Sequence, residues 1–237
     1  MDIKNIDKLI LVFVILAILS LNYSAIDKFL EKTFLAKSEV FVERIIDGDT
    51  IESNMGNIRL LGINTPERKE QYYEEAKEFL GLNIFNKTIQ LEFGKDRRDK
   101  YNRTLAYLFF QGRNINVEMV ENGFANYYFY DGRDKYSDEL EDAWQICLNN
   151  RINLCEPSKH ICSSCINVNS TFIVNPCSFS CDVTNWTIKG EGRDKVIFNQ
   201  TIIQPNGKAM FKLDLANSGG SLFLRDREGK LVVWKNY

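Results

Sequence analysis

The sequence predicts a mainly β protein with some α-helix, in which a small five-stranded barrel with helices is followed by a β-sandwich. Between residues 39 and 150, short runs of alternating apolar and polar residues are interleaved with runs of helical composition. After residue 170 helical periodicity is absent, and short apolar runs are separated by turns rich in Asn, Gly and Pro. The length of 237 residues, of which 44% are hydrophobic and 26% charged, suits two globular domains.

Five strands are predicted in the first domain, residues 39–157. They cover residues 39–46, 50–53, 58–63, 88–93 and 104–110. The Asp-Gly-Asp sequence at 47–49 is a hairpin-turn signal, Pro66 ends the third strand, and residues 94–103 form a charged loop.

Helices are predicted between these strands and after them. They cover residues 69–79, which Gly81 caps, residues 116–122, which Gly123 ends, and residues 137–149. Five short strands interleaved with helices favour an OB-fold, a five-stranded Greek-key barrel.

The remainder of the chain is predicted to be all β. Residues 158–170 are a connector rich in Cys and Ser, and residues 171–237 are a small sandwich. Its strands are predicted at 171–174, 187–189, 196–199, 208–213 and 222–225. A domain of this size is near the lower limit for independent folding, so covalent cross-links would stabilise it.

All six cysteines lie in the second half of the chain, at Cys147, Cys155, Cys162, Cys165, Cys177 and Cys181. An even number of cysteines in an exported chain indicates up to three disulfides, and this is the interpretation we favour. The alternative is a zinc site formed by His160 and the last four cysteines, whose spacing suits metal ligands. His160 is the only histidine, so Ser–His or Cys–His catalysis elsewhere is excluded.

The N-terminus predicts export. Residues 9–21 are apolar and uncharged and follow Lys4 and Lys8. This run is shorter than the roughly 20 residues that cross a bilayer comfortably, as in a signal peptide. Residues 1–25 are therefore a cleaved signal peptide or a retained membrane anchor, and we expect a secreted protein or one anchored facing the cell exterior.

The net charge of −2 is unevenly distributed. Residues 39–157 contain 15 basic and 22 acidic residues, and residues 158–237 contain 10 basic and 6 acidic ones. An acidic body binds nucleic acid poorly without specific sites, because that affinity comes from Lys and Arg. Chemistry on nucleic acid would therefore depend on a bound cation and a few well-placed arginines.

Three segments of the barrel domain carry side chains suited to phosphodiester cleavage: IIDGDTI at 45–51, RLLGINTPE at 59–67 and DKYNRTLAYL at 99–108. The reaction needs cations directed at the oxygens that gain charge, and a carboxylate to activate water. Arginine offers two parallel hydrogen bonds to phosphate, and Asp, Asn, carbonyl and water oxygens suit calcium.

In their order and spacing these segments closely resemble the thermonuclease (staphylococcal nuclease-like) family. The resemblance covers residues 39–155 and implies an OB-fold barrel with three helices. It also implies calcium-assisted hydrolysis of DNA and RNA that leaves 3′-phosphate ends.

The resemblance also implies roles for individual residues. Asp49 would be a direct calcium ligand, and Thr65 would contribute its backbone carbonyl. Glu67 would be the general base that positions the attacking water. Arg59 and Arg103 would stabilise the charged transition state.

Other positions depart from the family pattern or are less specific. Asn64 stands where the family has a second metal-binding aspartate, so calcium binding is expected to be weaker. Asp47 and Asp99 are interpreted as supporting charges, and a pairing of Arg103 with Asp99 alone is the alternative for that loop. Tyr101 and Tyr128 are expected to contact nucleotide, although the aromatic run around Tyr128 is as well explained by core packing.

The C-terminal domain resembles the lamin-tail type of immunoglobulin-like sandwich, through residues 181–188, 202–211 and 221–226. This resemblance implies a binding or targeting module with Trp186 in its core. Two other hypotheses for the function of the whole protein remain. One is a catalytically silent OB-fold nucleic-acid-binding protein at the cell surface, and the other is an extracellular structural protein.

Overall fold

The computed structural model describes residues 38–129, 132–192, 194–215 and 220–237. The predicted leader, residues 1–25, lies outside these residues and stays a prediction. Among the described residues, none of the helices has the length and apolar character needed to cross a membrane. Glu39–Tyr237 forms one compact unit, and the domain boundaries predicted inside it stay predictions.

The first half of this unit is a closed barrel with helices. Its strands are β1 (Ser38–Asp47), β2 (Thr50–Ser53), β3 (Gly56–Leu60), β4 (Ile63–Asn64), β5 (Thr88–Arg98), β6 (Thr104–Phe110), β7 (Arg113–Asn114) and β8 (Asn126–Tyr127). Its helices are α1 (Tyr73–Ile84), α2 (Ile115–Glu121) and α3 (Ser137–Asn150).

Strand pairing closes the barrel as the OB-fold prediction requires. The sheet order is β3-β2-β1-β5-β6-β7, and β3 also pairs with β6. That closing pair is parallel, with Arg59 opposite Leu105, whereas the β1–β2, β2–β3, β5–β6 and β6–β7 pairs are antiparallel. The predicted five-stranded barrel is therefore confirmed.

The strand and helix limits differ from the prediction in three places. The third predicted strand is divided into β3 and β4, since the chain turns at Gly62, which has a φ of 71°. β5 continues through part of the predicted charged loop to Arg98. Helix α1 begins later, after Tyr72 in the left-handed region, and continues past Gly81 to Ile84. Gly81 is therefore not a cap, since Leu80 and Ile84 both belong to the buried face.

The second half consists of short strands, as predicted, but its described residues form nine strands where five were predicted. They are β9 (Asn167–Val168), β10 (Phe172–Val174), β11 (Cys181–Asp182), β12 (Thr187–Lys189), β13 (Lys195–Ile197), β14 (Ile202–Ile203), β15 (Lys208–Met210), β16 (Ser221–Arg225) and β17 (Leu231–Asn236). The strands that were not predicted are Asn167–Val168, Cys181–Asp182, Ile202–Ile203 and Leu231–Asn236. A four-stranded sheet, β13-β12-β16-β17, shares a core with the smaller sheets. Trp186 is buried in that core, as expected, while the resemblance to the lamin tail stays a prediction.

All six cysteines form disulfides. The pairs are Cys147–Cys155, Cys162–Cys181 and Cys165–Cys177. The first pair joins the end of α3 to the short 3-10 helix that follows it, and the other two lie within the second half. The prediction of disulfides is confirmed, and the four cysteines of the zinc alternative are bonded to one another instead.

The two halves share apolar and polar contacts. Phe223 and Leu231 of the second half belong to the hydrophobic core of the barrel. Tyr127, at the end of β8, hydrogen-bonds the side chains of Ser221 and Trp234. Arg225 donates to the carbonyl oxygen of Leu154. The second half, here called the tail (residues 158–237), therefore packs directly on the barrel.

Candidate active site

The turn between β1 and β2 is held close to the segment that follows β4. A Cβ atom at Gly48 would lie 2.9 Å from Cβ of Ala76 and 3.0 Å from Cβ of Thr65. Only glycine fits so close a contact, so the Asp-Gly-Asp sequence is required by packing as well as by the turn. The backbone N–H of Asp49 donates to Oδ1 of Asp47 over 3.2 Å. Both aspartates of the turn are thereby fixed near Thr65.

Asp49 and Arg59 form a buried ion pair at this end of the barrel. Nη2 of Arg59 lies 3.0 Å from Oδ2 of Asp49, and the residues are 7% and 3% exposed. Asp49 also accepts hydrogen bonds from the backbone N–H of Thr65 over 3.2 Å and from the hydroxyl of Thr50 over 3.1 Å. Burying both charges is tolerable because each has hydrogen-bond partners.

The guanidinium of Arg59 is oriented by acceptors along the β3–β4 turn. It donates to the carbonyl oxygens of Leu60 over 2.6 Å and Ile63 over 2.9 Å, and to Oδ1 of Asn64 over 3.3 Å. The side chain of Arg59 is enclosed by these partners and is not a solvated charge at a strand edge. Its position in the fold is set by main-chain atoms as well as by Asp49.

The two turn aspartates have opposite pKa shifts. Burial, and then the negative charge of Asp49, raise the pKa of Asp47 to about 6. Burial also acts to raise the pKa of Asp49, but the charge of Arg59 and the Thr65 hydrogen bond outweigh it, so that this pKa is lowered. Asp49 is therefore ionised at neutral pH, next to a second carboxyl group that would benefit from a nearby cation.

The oxygens gathered here fit a hard divalent cation. Asp49 and Asn64 present carboxylate and amide oxygens, and Asp47 adds a second carboxylate. Oxygen donors of this kind suit calcium or magnesium rather than soft metals. Among the described residues, the one cluster of three metal-ligating side chains is Cys165, Cys177 and Cys181, all in disulfides. An ion at the barrel end would thus be held by few carboxylates, which predicts modest affinity.

Glu67 lies in the tight turn before α1. Its backbone N–H donates to Oε2 of Glu70 over 2.8 Å, and the N–H of Glu70 donates to the carbonyl of Glu67 over 2.8 Å. Pro66 is buried and Glu67 is half-buried. The turn therefore has a defined conformation, and it leaves the Glu67 side chain partly accessible to solvent.

Arg103 is fixed by Asp99, which was predicted as a supporting charge. Nε and Nη2 of Arg103 lie 2.7 and 2.6 Å from Oδ2 of Asp99, and the backbone N–H of Arg103 donates to Oδ1 over 2.9 Å. Burial tends to raise the pKa of Asp99, but these bonds lower it below the usual value. The pairing suggested as an alternative is therefore present. It also orients the guanidinium, which remains partly exposed.

Strand register brings Arg103 towards Arg59. Arg59 pairs with Leu105 across the parallel β3–β6 contact, and Arg103 precedes Leu105 by two residues. Arg103 itself comes immediately before the first residue of β6, Thr104, so its position follows from where that strand begins. The two arginines thus lie near the same end of the barrel, Arg59 on β3 and Arg103 just before β6.

The predicted nucleotide-contacting tyrosines have different environments. Tyr101 is 65% exposed, and its ring centroid lies 5.1 Å from Nζ of Lys100 and 5.5 Å from Cζ of Arg103. Tyr128 is half-buried, and its backbone N–H donates to the carbonyl of Gly62 over 2.8 Å. Its neighbour Tyr127 is a core residue, so the core-packing interpretation applies to that position.

Four tail residues that the sequence did not indicate lie against this site. The side chain of Asn64 donates to the carbonyls of Glu191 and Gly192, and Lys189 and Lys195 pair with Glu70. These contacts join residues about 125 positions apart in the sequence. No local pattern could have revealed them.

Comparisons with known proteins agree with the fold. Residues 57–156 match the family model described as "Staphylococcal nuclease homologue". The thermonuclease of Staphylococcus intermedius is 33% identical over 125 residues, which cover 48% of this chain and 74% of the relative. The thermonuclease of Staphylococcus hyicus is 34% identical over 112 residues, covering 43% and 66%. Endonuclease YncB of Bacillus subtilis (strain 168) is 31% identical over 134 residues, covering 52% and 64%.

The OB-fold barrel, the charged site at its end and these relatives together define a nuclease, an enzyme that hydrolyses phosphodiester bonds of nucleic acids. The chain belongs to the staphylococcal nuclease family, whose members depend on a metal ion. The whole tail lies outside the part of the chain that matches the family model.

Proposed function

We propose that this nuclease is an exported, calcium-dependent endonuclease that hydrolyses DNA and RNA. The observation that supports this most strongly is the buried Asp49–Arg59 pair, which lies beside the oxygens of Asn64 at the barrel end. The anionic group suits a bound metal ion. The cationic group suits the phosphate of the substrate, which the same ion would contact.

Asp49, Asn64 and Thr65 would hold the ion through carboxylate, amide and main-chain carbonyl oxygens. When bound, calcium supplies positive charge next to a phosphate oxygen. The neutral amide of Asn64 removes one negative charge from the ligand set. We therefore expect an affinity weaker than that of a site with a second carboxylate.

The reaction itself is assigned to three side chains. Glu67 accepts a proton from the attacking water as the general base. Arg59 and Arg103 donate N–H groups to the phosphate oxygens that gain charge in the transition state. The bond of Arg103 to Asp99 favours this role, because a guanidinium held in advance loses little freedom when it meets the phosphate. Arg59 would exchange one of its present acceptors for a phosphate oxygen.

The exposed ring of Tyr101 and the ring of Tyr128 are proposed to contact the bases. Stacking on an aromatic ring tolerates any base, which suits an enzyme that accepts both DNA and RNA. The hydrophobic N-terminal run supports export, with the enzyme secreted or anchored facing the cell exterior. N-terminal sequencing of the protein recovered from the membrane and from the medium would distinguish a retained anchor from a cleaved signal.

The decisive test is hydrolysis of single-stranded DNA and of RNA by the purified protein with calcium, with magnesium and with chelator. We expect activity that calcium supports and chelator abolishes. Glu67→Gln should reduce kcat by about 10²-fold or more. Glu118→Gln, which alters a half-buried carboxylate paired with Arg113, is the matched control and should be fully active.

The alternative of a silent nucleic-acid-binding protein predicts a different result. It requires retention of oligonucleotide without hydrolysis under every metal condition. The net charge of residues 39–157 disfavours it, since this part of the chain has more acidic than basic residues. Failure of the unmodified protein to cleave either substrate would reject the proposed activity.

A further inference from the structure

The tail contributes a hairpin to the candidate active site. Its strands are β12 and β13, which pair with Lys189 opposite Lys195. We call these strands together with loop residues 190–192 the tail hairpin. Loop residues Glu191 and Gly192 contact the barrel at the predicted metal ligand Asn64.

The contact with Asn64 is directional. Nδ2 of Asn64 donates to the carbonyl oxygens of Glu191 over 3.3 Å and Gly192 over 3.2 Å. Carbonyls accept hydrogen bonds and cannot donate them, so the NH2 group must face the tail. Oδ1 then faces the opposite way, where it accepts from Arg59 over 3.3 Å. The tail hairpin thereby determines which atom of Asn64 points into the site.

This geometry gives a physical reason for asparagine at position 64. Asn64 is 1% exposed, so its partners cannot readily be replaced by bulk water. An aspartate here would place a carboxylate oxygen against two carbonyl oxygens, and the repulsion would be weakly screened at a buried position. The contact with the hairpin therefore accounts for asparagine at a position where the family has aspartate.

A second contact lies at the turn that carries Glu67. Nζ of Lys195 bonds Oε1 of Glu70, and Nζ of Lys189 lies 3.7 Å from Oε2. That same Oε2 accepts the backbone N–H of Glu67 over 2.8 Å. Two tail lysines thus hold the carboxylate that closes the Glu67 turn.

A third contact lies near the aromatic segment after β8. Oε2 of Glu191 accepts the backbone N–H of Phe129 over 3.3 Å. A Cβ atom at Gly192 would lie 3.7 Å from the hydroxyl oxygen of Tyr128. The hairpin therefore touches three separate segments of the barrel, at Asn64, Glu70 and Phe129.

We propose that the tail hairpin contributes to the activity of the nuclease site by positioning its residues. The carbonyls of Glu191 and Gly192 orient the Asn64 amide, and Lys189 and Lys195 act through Glu70 as positioning residues for the Glu67 turn. This inference rests on the proposed roles of Asn64 and Glu67. It assigns a function to the tail beyond binding or targeting.

The first test is the double variant Lys189→Met/Lys195→Met in the full chain, with calcium present. We expect kcat on single-stranded DNA to fall at least about tenfold with little change in KM. Loss of both lysines would displace the turn that carries Glu67, and Glu67 is proposed to act in the chemical step. Arginine at both positions should restore most of kcat. Lys212→Met removes an exposed tail lysine and is the matched control.

Hydrogen exchange gives a readout that does not need catalysis. In the double variant, amides of residues 64–72 should exchange faster than in the parent, whereas Lys212→Met should leave them unchanged. Unchanged exchange there together with unchanged kcat would overturn the proposal. A parent protein without nuclease activity would instead reject the proposed function, while the exchange result would still report on the hairpin contact.

Asn64→Asp provides an independent test. If the hairpin orients the amide, this substitution should lower the Tm by about 3 °C or more and speed exchange in the hairpin strands. A gain in calcium affinity by calorimetry, with unchanged Tm and exchange, would contradict the proposal, because Asn64 would then be only a weakened ligand.

Discussion

The guanidinium of Arg59 lies 3.0 Å from the carboxylate of Asp49, and neither side chain has appreciable contact with solvent. The pair joins β3 to the β1–β2 turn, so it stabilises the barrel at the position where the reaction is proposed to occur. Stability and catalysis should therefore be linked at these two residues.

Removing one partner of this pair should destabilise the fold strongly. Asp49→Asn leaves Arg59 buried without a counter-ion, and the expected loss is about 3–5 kcal/mol in the free energy of unfolding. Denaturant titration measures it. The control is Glu52→Gln, which breaks the exposed Arg44–Glu52 pair and should cost about 1 kcal/mol or less. Equal losses of unfolding free energy in the two variants would show that the buried pair stabilises the fold no more than the exposed pair does.

Substitution of Arg103 should impair the chemical step more than it impairs folding. Arg103→Lys keeps the charge but loses the fork that now holds Asp99, so we expect a fall of roughly 10²-fold in kcat with a native thermal transition. Arg98→Lys, at an exposed arginine bonded to Oδ1 of Asn102 over 2.7 Å, is the control. Single-turnover kinetics separate the chemical step from product release.

Acid should weaken the contact between the tail and the barrel through Glu70. Burial acts to raise the pKa of Glu70, but Lys189, Lys195 and the Glu67 N–H outweigh it, and the pKa lies below its ordinary value of 4.5. Because the folded pKa is below the unfolded one, this stabilisation is complete above about pH 4.5 and is lost as the pH falls through the folded pKa. Thermal unfolding between pH 7 and pH 3 should show a smaller acid loss in Glu70→Gln than in the parent. An equal loss of thermal stability with falling pH in the two proteins would show that Glu70 does not contribute to the acid sensitivity.

Reduction of the disulfides should destabilise the tail. The Cys162–Cys181 and Cys165–Cys177 bridges close segments with sequence separations of 19 and 12, and removing one such bridge typically costs about 2–4 kcal/mol. Alkylation and mass spectrometry should find no free thiol before reduction, and a chelator alone should leave the Tm of the tail unchanged. Tightly bound zinc in the purified protein would contradict this expectation.

The sequence by itself determined the barrel and the identity of the chemical groups. The limits of β2 and β6 were predicted directly, because a hairpin-turn signal precedes the first strand and a charged loop precedes the second. Asp49, Arg59 and Arg103 could be selected because they lie at strand ends within a local pattern. The ends of α1 were less predictable, because Lys69 and Tyr72 adopt positive φ values that their residue types do not indicate.

Only the tertiary structure decided what surrounds those groups. The burial of Arg59 and its pairing with Asp49 depend on how strands and turns meet in space. The meeting of Asn64 with the Glu191–Gly192 loop was beyond sequence reasoning, because it joins main-chain carbonyls to a side chain 127 and 128 residues away. Main-chain acceptors are present at every residue, so composition gives no signal of which ones will face a given amide.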